Sequence, residues 1–190
     1  MKVLAFSGSN SNSSINRELV KYVIQHLKIT SELIDLRDYS IPMFSIDSER
    51  ENGFSNELNS LFNIFSSYDA YIISIPEHNG NYPAFFKNII DWFTRIDSGF
   101  FKGKPILLLN ASPGPNGGKS VLTIAEKSFP YFDGNVIGKF NLPNFQSYKT
   151  DGKINIGQTK IMKLFNDIID KFERTLELEQ SNIKTQKASG

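Results

Sequence analysis

The chain contains no cysteine. That excludes disulfides, thiolate metal sites and cysteine nucleophiles together, and it fits a reducing compartment. Histidine is nearly as scarce, with only His26 in a helical pattern and His78 in a loop. A zinc centre or a histidine-based triad needs more converging partners than that. Net charge is +1, so the chain carries neither the basic footprint of a nucleic-acid binder nor an acidic docking surface. No apolar run approaches the ~20 residues that span a bilayer. The amino terminus opens on an apolar strand pattern, without a signal peptide's basic head and small-residue cleavage site. The expectation is a soluble, cytoplasmic protein with no nucleic-acid or membrane partner. Its 190 residues, 39% apolar and 22% charged, suit one domain with a core that needs no crosslinks. Residues 1–180 are expected to form that domain and 181–190 a polar, disordered tail.

What is present is organised around the stretch from Ser74 to Trp92. An apolar run, Ala70 to Ile75, enters a polar loop that ends at Pro83, and Phe86, Ile89, Ile90 and Phe93 follow at helical spacing. The pattern reads as buried strand, exposed loop and helix, with proline suited to the helix start. Loop backbone from Pro76 to Gly80 is free to approach a flat, polar ligand, and Asn79 and Gly80 permit unusual dihedrals. An ordinary strand-to-helix connection is the alternative.

The same grammar recurs along the chain. Lys2 to Ser7 is a continuous apolar run, as in parallel strands covered on both faces. From Gly8 to Asn16 come four serines and three asparagines, then Ile15, Leu19, Val23, Ile24 and Leu27 at helical spacing. Hydroxyls and free amides at a helix amino terminus suit a phosphate, aided by the helix dipole. A polar loop with a serine cap is the plainer reading. A short second strand is marked by Leu33, Ile34 and Leu36, and a second helix by Phe54, Leu58, Leu61, Phe62 and Phe65. The intervening Pro42, Met43 and Phe44 either tuck onto the sheet or cover a partner. Lys104 to Asn110 is a fourth strand, with a breaker-rich loop from Ala111 to Gly118 before a helix over about 119–129. Val136 to Leu142 gives a weaker fifth strand. The turn Thr150-Asp151-Gly152-Lys153 precedes a last helix from about Gln158 to Leu178. Five strand–helix alternations predict an α/β fold: a three-layer, flavodoxin-like arrangement with a five-stranded parallel sheet of order 2-1-3-4-5 and helices on both faces. The loops after strands one, three and four then gather at one edge.

Two rival motifs fail on particular residues. Pro113-Gly114-Pro115-Asn116-Gly117-Gly118-Lys119-Ser120 approaches a nucleotide-binding P-loop, but Pro113 stands where its first glycine belongs and removes a backbone donor. The first loop has Gly8 as its only glycine, so the dinucleotide fingerprint is absent. Glu77 with His78 is either an acid–base pair or a cofactor contact. Trp92 is either core or subunit interface.

Ser7-Gly8-Ser9 through Ser14-Ile15-Asn16, Pro76-Glu77-His78-Asn79 with Pro83, Lys87-Asn88-Ile89-Ile90-Asp91-Trp92, Ser112, Gly117-Gly118 and Asp151-Gly152-Lys153-Ile154 together resemble the NADPH-dependent FMN reductase family. That family includes bacterial quinone, chromate and azo-dye reductases. The resemblance implies a homodimer, or a dimer of dimers, with FMN at each subunit boundary and NADPH or NADH as a transient hydride donor. It implies a ping-pong transfer through FMN to a quinone, azo compound or similar small-molecule electron acceptor. The cofactor residues it implies are Ser9, Ser11, Ser14, Ile15 and Asn16 from the first loop. Pro76, Glu77, His78, Asn79 and Gly80 come from the second, and Ser112 and Gly117 from the third. No catalytic side chain and no metal ligand is implied, because the flavin carries the chemistry. Two positions depart from the family pattern. Its first-loop arginine is Ser11 here, which either weakens FMN binding or shifts phosphate contact toward Arg17 and the helix dipole. Its frequent tyrosine after Pro-Glu is His78, which alters stacking beside the ring. The alternatives are an electron carrier like flavodoxin, disfavoured by the lack of acidic charge, and a non-redox FMN-binding protein.

Overall fold

A computed structural model describes residues 1–188. Its centre is a parallel sheet whose strands run β2-β1-β3-β4-β5 across the molecule, as the alternation of elements predicts. Strands β1 (Val3–Ser7), β3 (Ala70–Ser74) and β4 (Pro105–Ala111) are buried at every residue. Their side chains alternate between two separate cores, which is why both parities of each strand are apolar. Leu4, Phe6, Tyr71, Ile73, Ile106 and Leu108 face one side. There they meet α3 (Asn56–Ser66), α4 (Ala84–Ile96) and α5 (Lys119–Ser128) through Leu58, Leu61, Ile89, Phe93 and Val121. Val3, Ala5, Ile72, Leu107 and Leu109 face the other side. They pack on α1 (Ile15–Gln25) and α6 (Lys160–Ala188) through Leu19, Val23, Phe165, Ile169 and Phe172.

The pairing aligns Ser7 with Ser74 and Ser74 with Leu109. The carboxyl ends of β1, β3 and β4 therefore lie side by side. The chain leaves β1 toward β2 on one side and returns to β3 on the other, so this edge holds the topological switch point. Strand β5 (Asn135–Leu142) completes the sheet beside β4.

Several boundaries differ from expectation for local reasons. Strand β2 is Ser31–Leu33. Ile34 N–H still donates to Ala5 O (3.1 Å), but Asp35 then caps a short turn at Leu36–Asp38. A separate helix, α2 (Ile46–Asn52), precedes α3 and buries no residue, so no apolar period could mark it. The loop before it is tucked: Phe44 packs edge-on against Trp92 at 5.1 Å while Met43 stays exposed. Trp92 is core within the chain, and its Nε1–H donates to Pro42 O (2.8 Å). Helix α6 continues past Leu178 to Ala188, so 181–188 of the expected 181–190 tail are helical, and the rest of that tail lies outside the described residues. Among the described side chains of α6, the last buried one is Leu176. Glu177, Glu179 and Gln180, which follow, are good helix formers. The turn at 150–153 joins a two-strand hairpin, β6 (Lys149–Thr150) and β7 (Lys153–Ile154), which Lys149 ties to Glu18 of α1 (2.8 Å). Among the described residues no helix is long and apolar enough to cross a membrane.

Candidate functional site

At the switch point the three loops enclose a cavity of 210 Å³. Ser9, Ser11, Ser13, Ser14, Ile15 and Asn16 line one wall; Pro76, Glu77 and His78 line another; Ala111, Ser112 and Pro113 line the third. Nine of the expected site residues thus converge. Asn79, Gly80 and Gly117 do not line the cavity, whereas Ser13, Ala111 and Pro113 do although they are outside the expected set. Ser13 belongs to the serine run and Pro113 to the third loop, so proximity in sequence was their only signal.

The first loop is built by its own hydroxyls. Ser9, Ser11 and Ser13 amides donate to Ser7, Ser9 and Ser11 Oγ at 3.3, 3.2 and 3.2 Å. Each hydroxyl oxygen accepts a backbone bond and keeps its O–H proton available. Ser14 caps α1, its Oγ accepting from Arg17 N–H (3.2 Å). The amides of Ser14, Ile15 and Asn16 take no partner among the described residues. Unpartnered amides, free hydroxyl protons and the positive end of the helix dipole make an anion cradle.

Asn16 is nearly fully buried, and its side chain is turned away from any ligand role. Its Nδ2–H donates to Ala111 O (3.0 Å), while its Oδ1 accepts from Ala111 N–H (2.8 Å) and Ser74 Oγ–H (2.8 Å). One amide therefore locks the start of α1 to the ends of β3 and β4. What Asn16 offers a ligand is its backbone.

The second loop closes on itself. His78 and Asn81 exchange two backbone bonds, each 3.0 Å. Asn79 and Gly80 at the tip have φ of 52° and 77°. Asn-Gly is the pair that tolerates positive φ at both turn positions. The turn holds the walls Pro76 to His78 in place while its own tip stays exposed. Glu77 is no free acid–base group: its carboxylate accepts from Val121 N–H (3.1 Å) at the start of α5. That helix begins at Gly118, which has no side chain to cap it, so Glu77 supplies the cap from the neighbouring loop. A carboxylate at this helix start also repels a phosphate, which closes the P-loop reading on physical grounds. Gly117 serves packing, since a Cβ there would lie 2.5 Å from Asn141 Nδ2. In the third loop Ser112 Oγ accepts from Gly114 N–H (3.1 Å), and Ser112 N–H donates to Leu142 O (3.1 Å).

The cation reaching this region comes from an unexpected place. Neither Arg17 nor Arg37 lines the cavity; Arg17 pairs with Asp35. Arg37 also grips Asp35 and donates through Nη1 to Asn12 Oδ1 in the first loop. The Arg37 hydrogen bond, helped by the charge of Arg17, holds the Asp35 carboxyl at about 2, well below the ordinary range. Sequence periodicity carries no trace of a contact between residues 12 and 37.

A family model described as NADPH-dependent FMN reductase matches residues 1–147. An uncharacterized protein of Mycoplasma pneumoniae is 36% identical over 135 residues, covering 68% of this chain and 80% of that protein. A quinone reductase of Escherichia coli is 26% identical over 156 residues, 82% of this chain and 81% of its own length. Among solved structures, a flavoenzyme NAD(P)H:(acceptor) oxidoreductase from Paracoccus denitrificans superposes with a TM-score of 0.69 at 22% identity, covering 91% of this chain and 97% of that one.

Proposed function

The chain belongs to the NADPH-dependent FMN reductase family, and on that premise we propose that it oxidises NAD(P)H with a quinone, azo compound or similar small acceptor in a ping-pong cycle. FMN supplies the redox chemistry when bound, relaying two electrons between a donor and an acceptor that use the same face in turn. The residues present fit that group. Ser9, Ser11 and Ser14, with the amides of Ser14, Ile15 and Asn16, hold the phosphate. Pro76, Glu77 and His78 present backbone to the ring system, with the Asn79–Gly80 turn bracing them and Ser112 closing the far side. No side chain need act as nucleophile or general base.

The observation that carries this reading is the α1 amino terminus, where three unpartnered amides and a run of hydroxyls line one cavity wall. The cavity measures 210 Å³, below the about 300 Å³ at which pockets begin to enclose a drug-sized ligand. It accommodates one end of a cofactor and leaves the remainder over the rim. That open rim leaves room for a second subunit, as in a homodimer or a dimer of dimers. A cytoplasmic location is consistent with the cysteine-free composition.

The test is anaerobic addition of NADPH or NADH to the FMN-loaded protein, followed by a quinone. The visible flavin band bleaches rapidly and returns with the quinone, and initial rates give parallel double-reciprocal lines. Bound flavin that stays oxidised identifies a carrier instead. Failure to bind FMN refutes the reading.

A further inference from the structure

From Gly8 to Ser14 the first loop carries no charged residue. A cation that serves an anion held there has to come from elsewhere in the fold. We propose that Arg37 supplies that charge and positions the loop through Asn12, with Asp35 holding its guanidinium in place. The proposal rests on the reading of this cleft as an FMN site.

The geometry constrains Arg37 tightly. Its Nε donates to Asp35 Oδ1 (2.9 Å) and its Nη2 to Asp35 Oδ2 (2.6 Å). Asp35 Oδ1 also accepts from Arg37 N–H (3.1 Å), so the acceptor is fixed by the same short turn. A planar fork clamped along one edge has little freedom. The remaining Nη1 is thereby aimed at Asn12 Oδ1. Asn12 is exposed and, like Arg37, lies outside the cavity lining, but it stands in the chain between the lining residues Ser11 and Ser13, so fixing it restrains both.

The charge balance points the same way. Arg17, in the first turn of α1, shares Asp35 Oδ2. Two guanidinium groups on one carboxylate leave one positive charge in surplus. Asp38 acts on Arg37 too, but it is exposed and water screens it. Arg17 Nε is buried with no partner among the described residues, so this cluster has donors to spare. Lysine in place of Arg37 would keep the charge and lose the fork, since one nitrogen cannot span Asp35 and Asn12 as a planar guanidinium does.

The experiment compares FMN with riboflavin, which lacks the phosphate, by fluorescence titration of apoprotein at low and high salt. The unaltered protein prefers FMN. Arg37→Ala loses about tenfold in FMN affinity, the scale of one charge-assisted contact, while riboflavin affinity stays the same. Arg37→Lys retains the salt sensitivity of FMN binding without full affinity. Asn12→Ala, at an exposed position that leaves the arginine intact, gives a smaller loss that is also confined to FMN. Equal losses for both ligands in Arg37→Ala, or none, overturn the proposal and leave the FMN site standing. An Asn12→Ala variant with unchanged FMN affinity overturns the route through Asn12. An unaltered protein that does not distinguish FMN from riboflavin refutes the phosphate cradle itself.

Discussion

Replacing Asn16 by alanine tests how the site is assembled. The side chain makes three buried hydrogen bonds, to Ala111 N–H, Ala111 O and Ser74 Oγ. Removing it leaves two backbone groups of Ala111 without partners, whereas the Ser74 hydroxyl can rotate to another acceptor. Each stranded buried group costs about 1–3 kcal/mol, and water entering from the cavity recovers part of that, so the expected loss is about 3 kcal/mol. Against a typical stability of about 5–15 kcal/mol this is a large fraction, yet the protein should still fold. Urea denaturation followed by Trp92 fluorescence gives the number directly. Ser74→Ala is the control: Asn16 Oδ1 still accepts from Ala111, so its cost stays near about 1 kcal/mol. Asn16→Ala should also weaken FMN binding, because the amides of α1 are no longer registered against β4. A loss below about 1 kcal/mol for Asn16→Ala would show that the three bonds do not hold the loops together.

Two further outcomes follow from specific contacts. Gly118→Ala places a Cβ 2.2 Å from Asn110 Oδ1 at a residue with φ of 64°; steric overlap and left-handed backbone together should destabilise the fold by about 3 kcal/mol in the same denaturation assay. Asp35 titrates at about 2 in the fold against 3.8 ordinarily. Its ion pairs therefore contribute fully above the ordinary value, and that contribution is lost as pH falls through about 2. Denaturation midpoints between those two values should fall more steeply for the unaltered protein than for Asp35→Asn; equal slopes contradict the assignment.

The sheet order was legible because each buried strand is a continuous apolar run and each polar loop sits between a strand and an apolar period. The phosphate loop was legible from hydroxyl density at one helix start. Other features depend on contacts that leave no periodic mark. Asn16 reads as a loop residue facing a ligand, but its partners lie 58 and 95 positions away. Glu77 reads as a candidate acid, yet its role is set by a helix start 44 positions on. Arg37 lies in a three-residue turn with no pattern of its own. Helix α2 has Ile46 as its one apolar residue and buries nothing, so it shows no apolar period.

The most direct measurement is a residue-resolved amide spectrum of the isotopically labelled protein titrated with FMN and then with riboflavin. The account predicts that FMN shifts the amides of Ser14, Ile15 and Asn16 together with those of Glu77 to Gly80, and that riboflavin shifts only the second group. FMN-induced shifts that bypass Ser14 to Asn16 would place the phosphate elsewhere and contradict the site.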